Sequence, residues 1–214
     1  MPRRVYGHYS PLAQALDSVG ERWALLVVGE LLGGEARYGR LQQRLPGIGS
    51  AQLAARLREL ERDGLVDREP STGAYRLTAA GQGLAPAVYA LARFGLARLR
   101  PLQGRSTAFR PSWAALSLRA LADAAPPLPE PAIFETRVED EVFQTVATPE
   151  GARTMPGGQE PPDLTVTTDT VTVFDLVAGI RSIARARAEG LLDATGGERL
   201  LEAWAWVHGL RAAP

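Results

Sequence analysis

The chain has 214 residues and a mass of 23.0 kDa, with 45% hydrophobic and 22% charged residues, enough for one large folded domain or two small ones and incompatible with disorder or collagen-like repetition. Cysteine is absent, which excludes disulfides, thiolate metal sites, cysteine nucleophiles and thiol redox sensing. The 24 acidic residues balance 24 basic ones, and every basic residue is Arg.

The longest apolar run, Ala24 to Gly29, is far shorter than the roughly 20 residues a membrane-spanning helix needs. The stretch from Met1 to Pro11 lacks the apolar segment of a signal peptide, so a cytoplasmic protein without a membrane partner is expected. His8 and His208 are the only histidines, and no HExxH or DxDxDG spacing occurs. Neither a metal nor another cofactor is expected. The charge is divided along the chain: residues 1–105 carry 15 Arg against 9 acids, and residues 106–214 carry 9 Arg against 15 acids. That asymmetry points to a basic module for a polyanion followed by an acidic module with another task; ordinary surface charge is the alternative.

Leu12, Leu16, Val19, Trp23, Leu26, Val27 and Leu31 recur at helical spacing, predicting a buried stripe on a helix or helix pair, with a break near Gly20 and Glu21. Gly33-Gly34 ends it. A short helix from about Tyr38 to Leu45 follows, stopped by Pro46-Gly47. Ser50 is placed to cap a third helix running to about Asp63 and closed by Gly64. Leu53, Leu57 and Leu60 face inward. On the opposite face Ala51 and Ala55 are small and are flanked by Gln52 and Arg58, with Arg56 nearer the rim. Such a face either lies in a major groove, with Arg and Gln reaching bases or phosphates, or is simply solvated. Leu65 to Glu69 and Ala74 to Thr78 predict two strands joined by a turn over Pro70 to Gly73. The series of helix, turn, helix and hairpin is a winged helix, whose Arg68 and Arg76 either carry charge to the phosphate backbone or are ordinary exposed strand residues.

These residues resemble the HxlR-type winged helix-turn-helix regulators of bacteria, relatives of the MarR type. The resemblance runs from Ala15-Leu16-Asp17-Ser18-Val19-Gly20-Glu21-Arg22-Trp23 through Arg37-Tyr38-Gly39-Arg40-Leu41 and Leu45-Pro46-Gly47-Ile48. It continues through Leu53-Ala54-Ala55-Arg56-Leu57 and Asp63-Gly64-Leu65-Val66 to Tyr75-Arg76-Leu77-Thr78, and covers about Ser10 to Leu99. It implies double-stranded DNA as partner, a homodimer, and contacts from Arg37, Ser50, Ala51, Gln52, Ala55, Arg56, Arg58, Arg68 and Arg76. Many members carry a cysteine before the first helix; Ser10-Pro11 stands there instead, so thiol sensing does not carry over. The short turn from Pro70 to Gly73 likewise does not carry over the contacts of a longer wing.

From Ala79 to Leu99 a further helix is predicted, with Leu84, Val88, Leu91 and Leu99 on one stripe and Pro86 in its first turn. It serves either as a dimerisation element or as packing for the second domain. Gly104 to Pro111 reads as a linker, and Ser112 as the cap of a helix that ends before the proline-rich stretch from Ala125 to Pro131. Strands are predicted over Ile133 to Val138, Val142 to Ala147, Leu164 to Thr168 and Leu191 to Ala194. Short helices follow Asp169 or Thr170 and Ser182, and a last helix runs from Glu198 to Leu210. The expected class is α+β, with a winged helix-turn-helix over 1–105 and a second α+β domain over 106–214.

The run Asp163 to Asp169, with Leu176-Val177-Ala178-Gly179 and Ala188 to Asp193, resembles the sterol-carrier-protein type of domain. That resemblance implies a fatty or sterol-like molecule held between sheet and helices, here as an effector. Trp113, Phe134, Phe143, Phe174, Trp204 and Trp206 either line such a cavity or pack the core. Trp204 and Trp206, about 200° apart on a helix, cannot share a face, and His208 is expected at the surface. No GxSxG elbow is present, so no enzyme is expected. The reading is a dimeric DNA-binding regulator of an inverted-repeat operator, modulated by a lipophilic small molecule. The alternatives are a regulator whose second domain only binds protein, and a lipid carrier that uses the winged helix as scaffold.

Overall fold

A computed structural model describes residues 6–98 and 109–210. These residues form two units, divided between Val88 and Tyr89.

The first unit begins with α1 (Pro11–Val19) and α2 (Ala24–Leu32). The break expected near Gly20 is there: Gly20 ends α1, and Trp23, at φ 80°, sits in the left-handed region just before α2. The break changes the phase of the apolar stripe. Val19, Val27 and Leu31 are buried, but Leu12 is 69% and Leu26 55% exposed, because two short helices cannot continue one stripe around a turn. α3 (Tyr38–Arg44) and α4 (Ser50–Arg62) follow, then the hairpin of β1 (Val66–Arg68) and β2 (Tyr75–Leu77). The register pairs Val66 with Leu77, Asp67 with Arg76 and Arg68 with Tyr75, and a bridge from Ala36 to Tyr75 extends this small sheet.

The long helix expected from Ala79 is two helices, α5 (Ala79–Gln82) and α6 (Ala85–Leu96). Thr78 caps α5 by accepting the Gly81 N–H at 3.1 Å. Gly81 is forced: a Cβ there would lie 2.0 Å from the Leu65 carbonyl oxygen. Pro86, which has no N–H to give, falls in the first turn of α6. Leu99, the end of the predicted stripe, lies outside the described residues.

The division inside α6 differs from the boundary expected at 105/106. Arg93, on the C-terminal half of α6, donates to the Ala120 carbonyl at 2.6 Å and pairs with Asp123 at 2.9 Å. This half of the helix therefore belongs to the second unit.

That unit comprises α7 (Pro111–Ala122), β3 (Ala132–Val138), β4 (Glu141–Thr148), β5 (Gly151–Pro156), β6 (Leu164–Thr168), α8 (Thr170–Val177), α9 (Ile183–Ala188), β7 (Leu192–Thr195) and α10 (Glu198–Val207). Arg110, not Ser112, occupies the N-cap of α7, with Pro111 in its first turn. Asp169 and Ser182 cap α8 and α9 through the Thr172 and Arg185 N–H groups. The sheet order is β5-β4-β3-β6-β7, with β3 and β6 parallel and the other pairs antiparallel. The unit is thus mixed. β5, with the sequence GARTMP, has no expected counterpart: its glycine and proline weaken the strand signal, and an edge position tolerates both.

Phe134, Thr136 and Val138 on β3 and Phe143, Thr145 and Ala147 on β4 lie on the core face, with Leu118 of α7, Val173 of α8 and Trp204 of α10 among the buried residues there. Two polar contacts fix α10 against the sheet. The Trp204 indole Nε1 donates to Thr136 Oγ1 at 2.9 Å. His208 is fully buried, not at the surface as expected, because it follows Trp204 by one helical turn on the same inward face. Its Nδ1 lies 2.8 Å from the Trp204 carbonyl and its Nε2 3.2 Å from Thr145 Oγ1, so Nδ1 carries the proton and Nε2 accepts from the hydroxyl. On the other sheet face Glu135 and Gln144 are buried. They bind Gly158, Gln159 and Glu160 and hold that loop to the sheet.

Burial lowers the His208 pKa from 6.5 to about 4. The stability this neutral imidazole confers is therefore complete above about pH 6.5 and is lost as the pH falls toward 4. Denaturant unfolding should show the second unit losing about 3 kcal/mol across that window. His208→Phe should flatten the profile there, and an unchanged slope would refute the assignment.

Candidate nucleic-acid interface

In α4 the burial of Leu53, Leu57 and Leu60 sets the helix rotation. With about 100° per residue, Ala51, Ala55, Arg58 and Arg62 fall on the side away from that core, and Gln52 lies beside them. Ala51, Gln52 and Arg58 are exposed and Ala55 is half-buried. The small side chains make the centre of the face low, so the backbone can approach a flat partner closely. Ser50 is the first helical residue; Gly49 is the N-cap and gives no side-chain bond, which corrects the expected serine cap. Ser50 instead supplies its carbonyl, which accepts the Tyr38 hydroxyl at 2.8 Å. That bond ties the start of α3 to the start of α4 and fixes the approach of the exposed helix end. Tyr38 is absent from the predicted site; it is the first residue of α3, twelve positions before Ser50, so no local signal in the sequence marks the contact.

The expected cations differ in what they offer. Arg37 is exposed at the N-cap of α3, and Arg58 is exposed on the outer face of α4. Arg56 turns away from that face: only 14% of its side chain is exposed and it pairs with Glu59 at 2.5 Å. Arg62, one turn beyond Arg58, is largely exposed and was missed, although its i+4 spacing from Arg58 marks it. On the hairpin, Arg68 is exposed with its guanidinium 5.6 Å from the centre of the Tyr75 ring. Arg76 pairs with Asp67 at 3.1 Å and Glu69 at 3.0 Å. The hydrogen bond it donates to Asp67, then the charge of Glu69, raises its pKa further.

The sequence profile of the HxlR-like helix-turn-helix family matches residues 18–102. A relative from Synechocystis, named as an uncharacterised helix-turn-helix transcriptional regulator, is 35% identical over 94 residues, spanning 42% of this chain and 70% of the relative. The chain belongs to the HxlR-like helix-turn-helix family of transcriptional regulators. A Mycobacterium tuberculosis regulator is 42% identical over 89 residues, but the match spans only 56% of that protein and 39% of this chain. Among solved structures, quinone-bound YodB from Bacillus subtilis is 30% identical, with a TM-score of 0.36, covering 41% of this chain and 97% of its own. The redox regulator HypR in its oxidised form is also 30% identical, with a TM-score of 0.40, over 44% of this chain and all of its own. The family profile leaves most of the second unit unmatched.

The six aromatic residues expected to line a cavity in the second unit do not form one lining. Phe134, Phe143 and Trp204 are fully buried and packed together in the core. Phe174 packs against Phe109 with ring centres 5.5 Å apart, and Trp113 is half-buried. Trp206 is 58% exposed, as its opposition to Trp204 requires. A cavity of about 310 Å³ lies elsewhere, between the proline-rich stretch and α10, walled by Leu128, Pro131, Ala132, Leu200 and Ala203 beside the Glu130–Arg199 ion pair. Among the described residues no cluster of three or more His, Asp or Glu has metal-binding geometry. No described helix is long and apolar enough to cross a membrane.

Tyr38→Phe should lower the unfolding free energy of the first unit by about 0.5–1 kcal/mol and speed amide hydrogen exchange in the first turn of α4. Unchanged exchange would show that the hydroxyl does not position this helix.

Proposed function

We propose that the protein regulates transcription as a homodimer on an inverted-repeat operator, with α4 in the major groove and the β1–β2 hairpin against the backbone. The observation that carries this reading is the outer face of α4: Ala51 and Ala55 low at its centre, Gln52 and Arg58 beside them, and Leu53, Leu57 and Leu60 holding it outward. Arg and Gln match the acceptors and donors of purine edges. Arg37 and Arg68 supply contacts to phosphates, which position the protein without reading sequence. Residues 1–105 hold the DNA-binding and dimerisation functions and residues 106–214 the sensing function. Leu91 and Phe94, 53% and 58% exposed on α6, are apolar surface suited to a twofold contact.

The effector in this reading is a lipophilic small molecule taken up by the second unit in the sterol-carrier-like manner. The apolar walls of the cavity at Leu128, Ala132, Leu200 and Ala203 support that chemistry. The packed aromatic core does not.

Arg58→Ala should weaken binding to the specific operator by about 1–3 kcal/mol, whereas Arg68→Ala should weaken all duplexes alike and reduce the salt slope by about 1. A Gln52→Ala, Arg58→Ala double variant that retains specific affinity in a gel-shift titration would remove α4 as the reader. Light scattering should report a dimer at micromolar concentration that Leu91→Asp splits without lowering the melting temperature; a monomeric wild type would end the dimer proposal. Ala203→Trp should abolish the rise in melting temperature produced by a medium-chain fatty acid, and a rise that persists would place the effector elsewhere.

A further inference from the structure

The hairpin carries four charges, Asp67, Arg68, Glu69 and Arg76, whose sum is zero. They are not equivalent. Asp67 lies directly across from Arg76 in the β1–β2 register. The Arg76 guanidinium uses Nη2 on Asp67, at 3.1 Å, and Nη1 on Glu69, at 3.0 Å. Each arm of the fork therefore meets a carboxylate, and two negative charges surround one positive charge. Arg68, on the same hairpin, lies over the Tyr75 ring and meets no carboxylate among the described residues.

From this we infer that Asp67 and Glu69 form an acidic clamp that withholds Arg76 from DNA phosphates and so limits sequence-independent binding by the hairpin. The inference rests on the DNA-binding reading above and adds to it a limit on sequence-independent affinity. Phosphate contacts supply nearly all of the affinity for random duplex, and random sites vastly outnumber operators in a genome. Restraining one hairpin cation lowers affinity for every sequence by the same factor. The retained affinity then depends more on Gln52 and Arg58, whose contacts differ between sequences. The clamp is exposed, with about half of the Arg76 and Asp67 side chains accessible, and exposed ion pairs contribute little to stability. Its removal should leave the fold intact. The backbone pairing of Val66 with Leu77 and Arg68 with Tyr75 holds the hairpin without it.

The test is a double-mutant cycle on the full chain, measured by fluorescence anisotropy with a random-sequence duplex across a salt titration. D67N/E69Q should bind about three- to tenfold more tightly than wild type at low salt, with a log–log salt slope steeper by about 1, the signature of one added phosphate contact. R76A alone should change little. Adding R76A to D67N/E69Q should abolish the gain. If the gain survives in the triple variant, it comes from relieved repulsion between the carboxylates and DNA, and the clamp is refuted. It is equally refuted if wild type binds duplex and D67N/E69Q binds no better. A wild type that binds no duplex at low salt, with Arg58→Ala indistinguishable from it, overturns the DNA-binding reading and the clamp together. Melting curves that coincide for all variants exclude misfolding as the source of any difference.

Discussion

A helix presents to a partner only the face its own core leaves free, and the anchoring of α4 by Leu53, Leu57 and Leu60 is the constraint on which the first unit depends. Those three leucines, all within 1% of full burial, leave one rotation about the helix axis. The same rotation places Ala51 and Ala55 outward, turns Arg58 and Arg62 to solvent and draws Arg56 aside to Glu59. The tie from Tyr38 to Ser50 then fixes the helix end in space. Neither contact touches a ligand. Together they set which side chains are available to one.

Electrostatics sorts the cations that this scaffold exposes. The excess of Arg over acids in residues 1–105 suggests a uniformly basic surface, yet pairing removes part of it. Arg56 and Arg76 are engaged with acids, and Arg37, Arg58 and Arg68 stand apart from them. A salt-dependent interaction with a polyanion responds to the available charges rather than to the formal total. A helix face and a hairpin with equal numbers of Arg therefore contribute differently.

The second unit is governed by packing of a different kind. Trp204 and His208, one turn apart on α10, each place a polar atom against a threonine on the sheet, at Thr136 and Thr145. Buried polar groups are tolerable only when satisfied. These pairings consequently specify one position of α10 over the sheet, where apolar contacts alone would accept several. Phe134, Phe143 and Trp204 are consumed in this packing, and a cavity lies instead along the proline-rich stretch.

Much of the architecture was legible in the chain because its signals are local. The break at Gly20, the stop at Pro46-Gly47, the caps at Asp169 and Ser182, and the leucine spacing of α4 all act within a few residues, through backbone sterics and helical periodicity. The helix-turn-helix and its hairpin were therefore readable in order, as was the opposition of Trp204 and Trp206. Nonlocal effects were not. β5 forms because β4 offers it an edge, despite its poor strand composition. The helix after Thr78 divides where Gly81 must pass the Leu65 carbonyl, a contact between residues sixteen positions apart in the chain. Burial of His208, the turning of Arg56 to Glu59 and the double pairing of Arg76 depend likewise on neighbours brought close by folding. Sequence by itself determined the apolar face of α4 and the breaks, stops and caps that act within a few residues; the tertiary structure decided which polar groups meet, because ion pairs and hydrogen bonds depend on distances of a few ångströms that periodicity does not encode.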